Sequence, residues 1–391
     1  MGVLVAAVLM GSVLVDGNAR IEGRTGSHTA GLPSPETGLA TLSLTVQDDE
    51  GEVLWRAGAM PQLLFANPGG GVVGRVFGRA FAGVEVRDRA TYRVRLRQDL
   101  GYGTTDLSPL AGLPVPGPGP PPPGAQPPPA MPIVLLEEST TAGSVEVALS
   151  RRTRFSTDGA WLVSGGADAA SRNSVPLAHG ARLRAQLSHL LTPLEQLDAE
   201  LSGLETRYSN GNRVTVANAL LGWGSKLAPG GTLQLGAGPA LARGVTPSTG
   251  TRNSLLYIAH ADLVLSPVAL RTRGLSMSLR VAAEPIGDVI SGDLIERGGI
   301  TAGVTFVLAR DFTLNLRAIG SLALTSGVSG SLGTIRGDRF GTGELNAVWA
   351  VTRQIDFTVG PRGFWVSRPS GGLPHAQWVA FASITFYPFR R

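Results

Sequence analysis

The chain contains no cysteine, a single lysine (Lys226) and no run of eighteen or more apolar residues. The first absence excludes disulfides, a thiolate metal site, a cysteine nucleophile and a lipoprotein anchor, and is neutral about redox compartment. The last excludes a membrane-spanning helix. With lysine nearly missing, the basic side is almost all arginine, and the formal net charge is +5 over 391 residues. So small an excess, without basic clusters interleaved with aromatics, does not point to nucleic acid. No stretch carries a convincing amphipathic 3.6-residue period, so helices are not expected to build the fold. The nucleophile-elbow, zincin and phosphate-loop motifs are missing as well, and Gly236-x-Gly238 is followed by Pro239 rather than by a helix.

What is present is a period of two. In the hairpin Leu345–Trp365, the second arm places Ile355, Phe357, Val359, Pro361, Gly363 and Trp365 on one face. Asp356, Thr358, Gly360, Arg362 and Phe364 take the other, because successive strand side chains point to opposite sides. The polar turn Thr352-Arg353-Gln354 joins this arm to Leu345, Ala347, Trp349 and Val351. The same unit recurs. Tyr92, Val94 and Leu96 alternate with Arg93, Arg95, Arg97 and Asp99, and Phe312, Leu314 and Leu316 alternate with Thr313, Asn315 and Arg317. About seventeen such segments can be counted, with one more around Ala19–Gly26, each roughly ten residues or slightly longer. Connections alternate between short turns and longer loops rich in Gly, Ser, Thr and Pro.

Two stretches interrupt the pattern. Met1–Val15 is apolar and is followed by Gly17-Asn18-Ala19, so residues 1–19 read as an export signal with a weak basic start, and 20–391 as the mature part. The connection 104–141 contains Pro109–Pro132, which holds twelve of the 27 prolines and is expected to be extended and solvated. A long surface loop accounts for it best, since similar strands flank it. A linker between two lobes and a ligand for a proline-binding domain are the alternatives.

Alternation alone also fits a soluble sandwich. The faces argue otherwise. Three arginines in a row on one strand face do not pack into a dry core unless paired. An apolar Leu/Val/Ala/Phe face opposite an Arg-rich face, with short turns at one end and long loops at the other, is what a transmembrane barrel requires. In lipid every backbone polar group must be paired, so such a sheet closes on itself. From about Leu39 to Phe389 the chain resembles the outer-membrane β-barrels of Gram-negative bacteria, at porin-like size. Its end, Trp378–Phe389, resembles the amphipathic terminal strand that the outer-membrane assembly machinery reads, although Pro388 and the final Arg390-Arg391 depart from it.

The resemblance implies an all-β fold: a single closed antiparallel transmembrane barrel of about 16–18 strands in the bacterial outer membrane, with short periplasmic turns and longer outer loops. Lumen-lining candidates are Arg75, Arg79, Arg93, Arg95, Arg97, Asp99, Arg182, Arg184, Asp198, Glu200, His260, Asp262, Arg280, Arg317, Asp356 and Arg362. Lipid-facing candidates are Tyr92, Val94, Leu96, Leu314, Leu316, Ile355, Phe357, Val359 and Trp365. Arginine rings favour anions in a pore; the same arginines could instead pair with Asp99, Glu146, Asp198, Glu200 and Asp356 to brace the wall.

No enzyme, cofactor or metal site is expected. Ser188-His189 sit on opposite faces of one strand, which keeps them from acting as nucleophile and base. His260-x-Asp262 share a face, where a structural hydrogen bond is the better account. Asp48-Asp49-Glu50 lacks the further oxygen ligands of a calcium loop. The function expected is a passive pore or binding channel for small polar or anionic solutes. The alternatives are a non-conducting surface barrel whose Pro-rich loop meets a partner, and a soluble two-lobed secreted β-protein.

Overall fold

In the computed structural model, the described residues are 14–26, 37–48, 51–66, 73–88, 91–106, 133–228, 230–247, 250–266, 268, 274–287, 294–324, 339–367 and 375–388. They form eighteen strands. The first nine are β1 (Leu14–Gly26), β2 (Thr37–Asp48), β3 (Val53–Ala66), β4 (Val73–Asp88), β5 (Tyr92–Asp106), β6 (Ile133–Ala148), β7 (Thr153–Gly166), β8 (Ala178–Leu190) and β9 (Glu195–Tyr208). The rest are β10 (Arg213–Ala228), β11 (Gly231–Thr246), β12 (Gly250–Leu265), β13 (Leu275–Gly287), β14 (Leu294–Ala309), β15 (Phe312–Ala323), β16 (Arg339–Ala350), β17 (Ile355–Ser367) and β18 (His375–Phe386). One short helix, α1 (Ala169–Ser174), lies between β7 and β8.

Every strand pairs antiparallel with its sequence neighbours, and β1 closes the ring. It pairs with β2 from Leu14↔Gln47 to Arg24↔Thr37, and with β18 from Ala19↔Phe386 to Gly26↔Val379. Closure removes both sheet edges, which is the condition for a sheet in lipid. The strands are 12–16 residues long, more than the 9–11 or so that cross a hydrocarbon core of about 30 Å. The first and last described strand ends and the short turns lie at one rim, and the strand ends that flank the longer connections at the other.

Burial shows which face is which. Along β18, Gln377, Val379, Phe381, Ser383 and Thr385 are buried, while Ala376, Trp378, Ala382, Ile384 and Phe386 are exposed. In a single-layer barrel, a side chain is this fully covered on the concave side. The convex side carries the exposed Leu and aromatic residues. Near the short-turn rim, Phe312, Trp349 and Phe357 form an outward row across β15–β17, an aromatic girdle of the kind found at a membrane interface. The outer-membrane barrel is therefore the architecture of this chain.

Several details differ from the sequence reading. β5 and β6 pair directly from Tyr92↔Val147 to Asp106↔Ile133, so the chain is not two lobes split at the Pro-rich stretch. The connection read as 104–141 contributes its ends to these strands, and residues 107–132 lie outside the described residues. The alternation was hidden there because the outward face of β6 is polar at Glu137, Ser139 and Thr141. Gln98 donates to Ser139 Oγ at 3.1 Å, and Thr141 donates to Gln98. β1 begins at Leu14, inside the stretch 1–19 read as an export signal; residues 1–13 lie outside the described residues. The terminal ladder ends at Phe386, before Pro388, and Phe389 also lies outside them. At the β9–β10 turn, Gly211 adopts a φ of 88°, which a side chain would disfavour, and its N–H closes on Tyr208 O at 2.9 Å.

One joint is incomplete. β11 and β12 pair along their whole length, from Gly231↔Leu265 to Thr246↔Gly250, but β12 and β13 pair only between Ala259↔Ala283 and Leu265↔Met277. Beyond Ala259, the β13 side of β12 has no strand partner among the described residues. Meanwhile β13 touches β10, and β14 touches β11. Strands three places apart in a flat wall would lie roughly 14 Å from each other at ~4.8 Å spacing. The outer end of the β13–β14 hairpin has therefore folded into the barrel.

Candidate pore lining

The register places all sixteen lumen candidates on the face that also carries the buried Glu22 and Arg362, and none of the nine lipid-face candidates is buried. The concave face differs in character around the ring.

At the closing seam it is dry and charged. Glu22 on β1 reaches Arg362 on β17 across β18, with Oε1 2.7 Å from Nη1. Such a reach over an intervening strand requires side chains that converge, as they do on a concave surface. Glu22 also binds Arg24 Nε at 2.6 Å and pairs with Arg20. Arg362 Nε binds Glu344 at 2.7 Å, and its guanidinium stacks 3.8 Å from the centroid of Phe381. The side chains of Glu22, Arg24 and Arg362 are 2%, 3% and 6% exposed. Asp356 is buried nearby on β17, and Arg317 aligns with Glu344 on β16.

Along β4–β7 the face is open and ionic. Glu85 holds Arg95 Nε at 2.6 Å and Arg93 Nε at 3.1 Å. Glu146 holds Arg93 at 3.7 Å and Arg154 at 3.1 Å. Arg97 binds its own-strand neighbour Asp99, and Arg79 on β4 reaches Glu138 on β6 at 2.9 Å. Gly101 on the intervening β5 makes room for that reach: a Cβ there would lie 3.1 Å from Glu138 Oε2. Phe77 and Phe81 lie under the guanidinium groups of Arg79 and Arg97, at 5.4 and 5.8 Å. Seven arginines (75, 79, 87, 93, 95, 97, 154) share this inward face with five acids, Glu85, Asp99, Glu138, Glu146 and Asp158. The arginines at 93, 95 and 97 are 40–56% exposed.

On β8–β9 the pattern is mixed. Arg184 pairs with Glu200 at 2.7 Å and Arg182 with Asp158 at 3.4 Å. Asp198 takes neutral partners: Gln186, Ser188 and Gln196 all donate to it. Ser188 and His189 go separate ways, His189 Nδ1 lying 2.9 Å from Thr153 Oγ1. Asp262 pairs with Arg280 at 3.7 Å, and the His260 ring lies over Gly236, where a Cβ would be 2.3 Å from its Cε1.

The fourth sector is an apolar shelf. Val214, Val216, Leu220, Ala240, Ala242 and Ile258 form a buried inward cluster on β10–β12, and Leu294 from the infolded hairpin packs on it. Gly244 admits this: its Cβ position lies 3.0 Å from Leu294 Cβ. The hairpin thus narrows the outer half of the barrel. Among the described residues, no group of three or more His, Asp or Glu is arranged to hold a metal.

Sequence reasoning placed Glu85 on the arginine face without giving it a partner, and missed Glu22, Glu344 and Glu138, which together hold Arg20, Arg24, Arg79 and Arg362. Glu22 lies just past the apolar start, where only a marginal strand was legible. Its partner is 340 positions away.

The chain matches the EpsX exopolysaccharide export family over residues 86–387 and belongs to it. No curated protein matches its sequence. Among solved structures, it is similar to the FrpB iron transporter of Neisseria meningitidis (F3-3 variant; TM-score 0.49, 10% identity, 94% of this chain and 66% of that one). It is also similar to the outer-membrane channel DcaP of Acinetobacter baumannii (0.45, 10%, 96% and 97%) and to OpdK of Pseudomonas aeruginosa with vanillate (0.47, 10%, 96% and 98%). The chain spans just under two thirds of FrpB. At these scores and identities, none of the three carries a functional argument.

Proposed function

We propose that this member of the EpsX exopolysaccharide export family is a conduit through which an acidic polysaccharide crosses the outer membrane. The observation that carries this reading is the inward face of β4–β7, where arginines outnumber carboxylates and stay hydrated inside a closed barrel. Shared carboxylates leave each guanidinium with donors to spare, so an anionic chain can move from one to the next without a deep well. Rings of arginine select anions for the same electrostatic reason. The infolded β13–β14 hairpin is the constriction of this path, seated on the apolar shelf. β18, with Trp378, Ile384 and Phe386 outward, is the strand the assembly machinery would engage.

Planar-bilayer recording tests the reading. The expected result is an anion-preferring reversal potential, with current blocked by an acidic oligosaccharide such as oligogalacturonate and not by a neutral maltodextrin. Cation preference sinks the reading, and so does an absence of conductance. The infolded hairpin and the filled seam favour a second reading, a non-conducting barrel, which that absence would support.

A further inference from the structure

The outward face of β7–β11 departs from the rest of the lipid-facing wall in two ways that meet on the same strands. The first is a groove of about 510 Å3. Ala185, Ala199, Ala219 and Ala237 form its floor, and Leu187 and Leu221 flank it. The trough continues toward the long-loop rim. The next outward row is Leu183, Gly203, Ala217 and Leu241, in register across β8–β11. Both leucines are 64% exposed, whereas nothing stands on Gly203 and little on Ala217.

The second is a basic cluster at the head of the trough. One and two rows higher, the outward positions are Glu205 and Arg243, then His179, Arg207 and Arg213. Glu205 binds Arg207 at 2.8 Å and Arg213 at 2.9 Å, and is the carboxylate they share. The two arginines face each other directly across the ladder, 60% and 46% exposed, and Arg243 is exposed beside them. Like charges directly opposite destabilise a strand pair unless an anion compensates both.

From Ala219 to Arg213 is six residues, roughly 20 Å of strand at ~3.3 Å per residue. At a tilt of about 40° this is ~15 Å of height, half the ~30 Å hydrocarbon core. The trough therefore has the depth of one leaflet, with its charged end where headgroups lie. Apolar volume at that depth is filled by acyl chain rather than water. Phosphate oxygens match the forked donors of arginine better than any carboxylate left on this face. A second copy of the chain is the poorer occupant: two barrels related by an axis along the membrane normal would bring their arginine clusters together at one height, and the repulsion opposes association.

We propose that this face holds a phosphate-bearing lipid of the outer leaflet, its acyl chain in the alanine-floored trough and its phosphate on Arg207, Arg213 and Arg243. The site is independent of whether the lumen conducts.

The test is the unfolding midpoint of the detergent-extracted barrel, followed by its heat-modifiable gel mobility. The probes are lipid A, enzymatically dephosphorylated lipid A and inorganic phosphate. The site predicts a saturable rise with lipid A alone. The R207Q/R213Q variant loses that response, and A219L weakens it by filling the trough. All three changed positions face outward, Arg207 and Arg213 exposed and Ala219 half-buried, and the same gel shows in the absence of lipid whether each variant has folded. If either variant fails to fold, native mass spectrometry of lipid co-purified with R213K and R213Q reads the headgroup site instead, with retention expected in R213K and loss in R213Q. An equal response to dephosphorylated lipid A overturns the headgroup site, and an equal response to inorganic phosphate overturns the lipid. An unchanged response in the variants overturns the location.

Discussion

Arginine–carboxylate pairing is used twice on the concave face, and the two regions differ in water. At the β17–β18–β1 seam, Glu22, Arg24 and Arg362 are almost wholly covered, and each carboxylate is fully engaged. Along β4–β7, Arg93, Arg95 and Arg97 are about half exposed; Arg93 and Arg95 share Glu85, and Arg97 holds Asp99. The residue types are the same, but the energetics are not. A covered ion pair is costly to break, because the orphaned charge stays in low dielectric. A hydrated pair is worth little, because water and salt screen it. The seam therefore reads as a clamp on the last closure of the ring, and β4–β7 as a surface over which charge can be exchanged.

The comparison can be broken experimentally. The largest effect is expected from Glu22→Ala, which removes the buried carboxylate shared by Arg20, Arg24 and Arg362 and should destabilise the barrel by about 3–5 kcal/mol. Chemical unfolding in detergent reads this, and a loss below 1 kcal/mol would show that the seam is not a clamp. Glu85→Ala, its counterpart on the open wall, should cost about 0–1 kcal/mol while shifting the reversal potential further toward anions. A loss as large as at Glu22 would erase the distinction.

Next in size is Leu294→Ser, which weakens the hairpin's seat on the apolar shelf by about 1–2 kcal/mol. Single-channel conductance should rise; an unchanged conductance would place the constriction elsewhere. The smallest effect concerns α1, whose N-cap Asp168 accepts the Ser171 N–H at 2.7 Å, and this hydrogen bond holds its carboxyl below the usual range. A lowered value means the cap is complete above the ordinary carboxylate pKa and is lost as pH falls through the depressed one. Hydrogen exchange in the 166–178 connection should accelerate on acidification in the wild type, and Asp168→Asn should flatten that pH dependence.

Legibility followed sequence distance. The alternation in Tyr92–Asp99 and in Ile355–Trp365 is local, and period two was enough to assign strands and to sort their faces. The Gln98–Ser139–Thr141 contacts joined residues from both sides of the Pro-rich stretch, and a polar outward face there broke the pattern that sequence reading depends on. Glu22 gave no signal, because an acid in a marginal first strand means nothing until the strand that closes the ring is known. The infolded hairpin was equally invisible. The alternation of Leu275–Val281 lapses at Glu284–Gly287, where Ile286 takes the face of Arg280 and Pro285 and Gly287 the other, but nothing local says that this end leaves β12 and folds inward.

What the sequence determined by itself is the material: strands of period two, an arginine-rich face and a lipid-compatible one, and loops long at one end and short at the other. Those follow from residue type and nearest neighbours. Tertiary structure alone decided which arginines are dry and which are wet, where the β12–β13 ladder stops among the described residues, and which alanines line up beneath which arginines. Each of these depends on register and curvature, which bring residues such as Glu22 and Arg362 together only after the ring has closed.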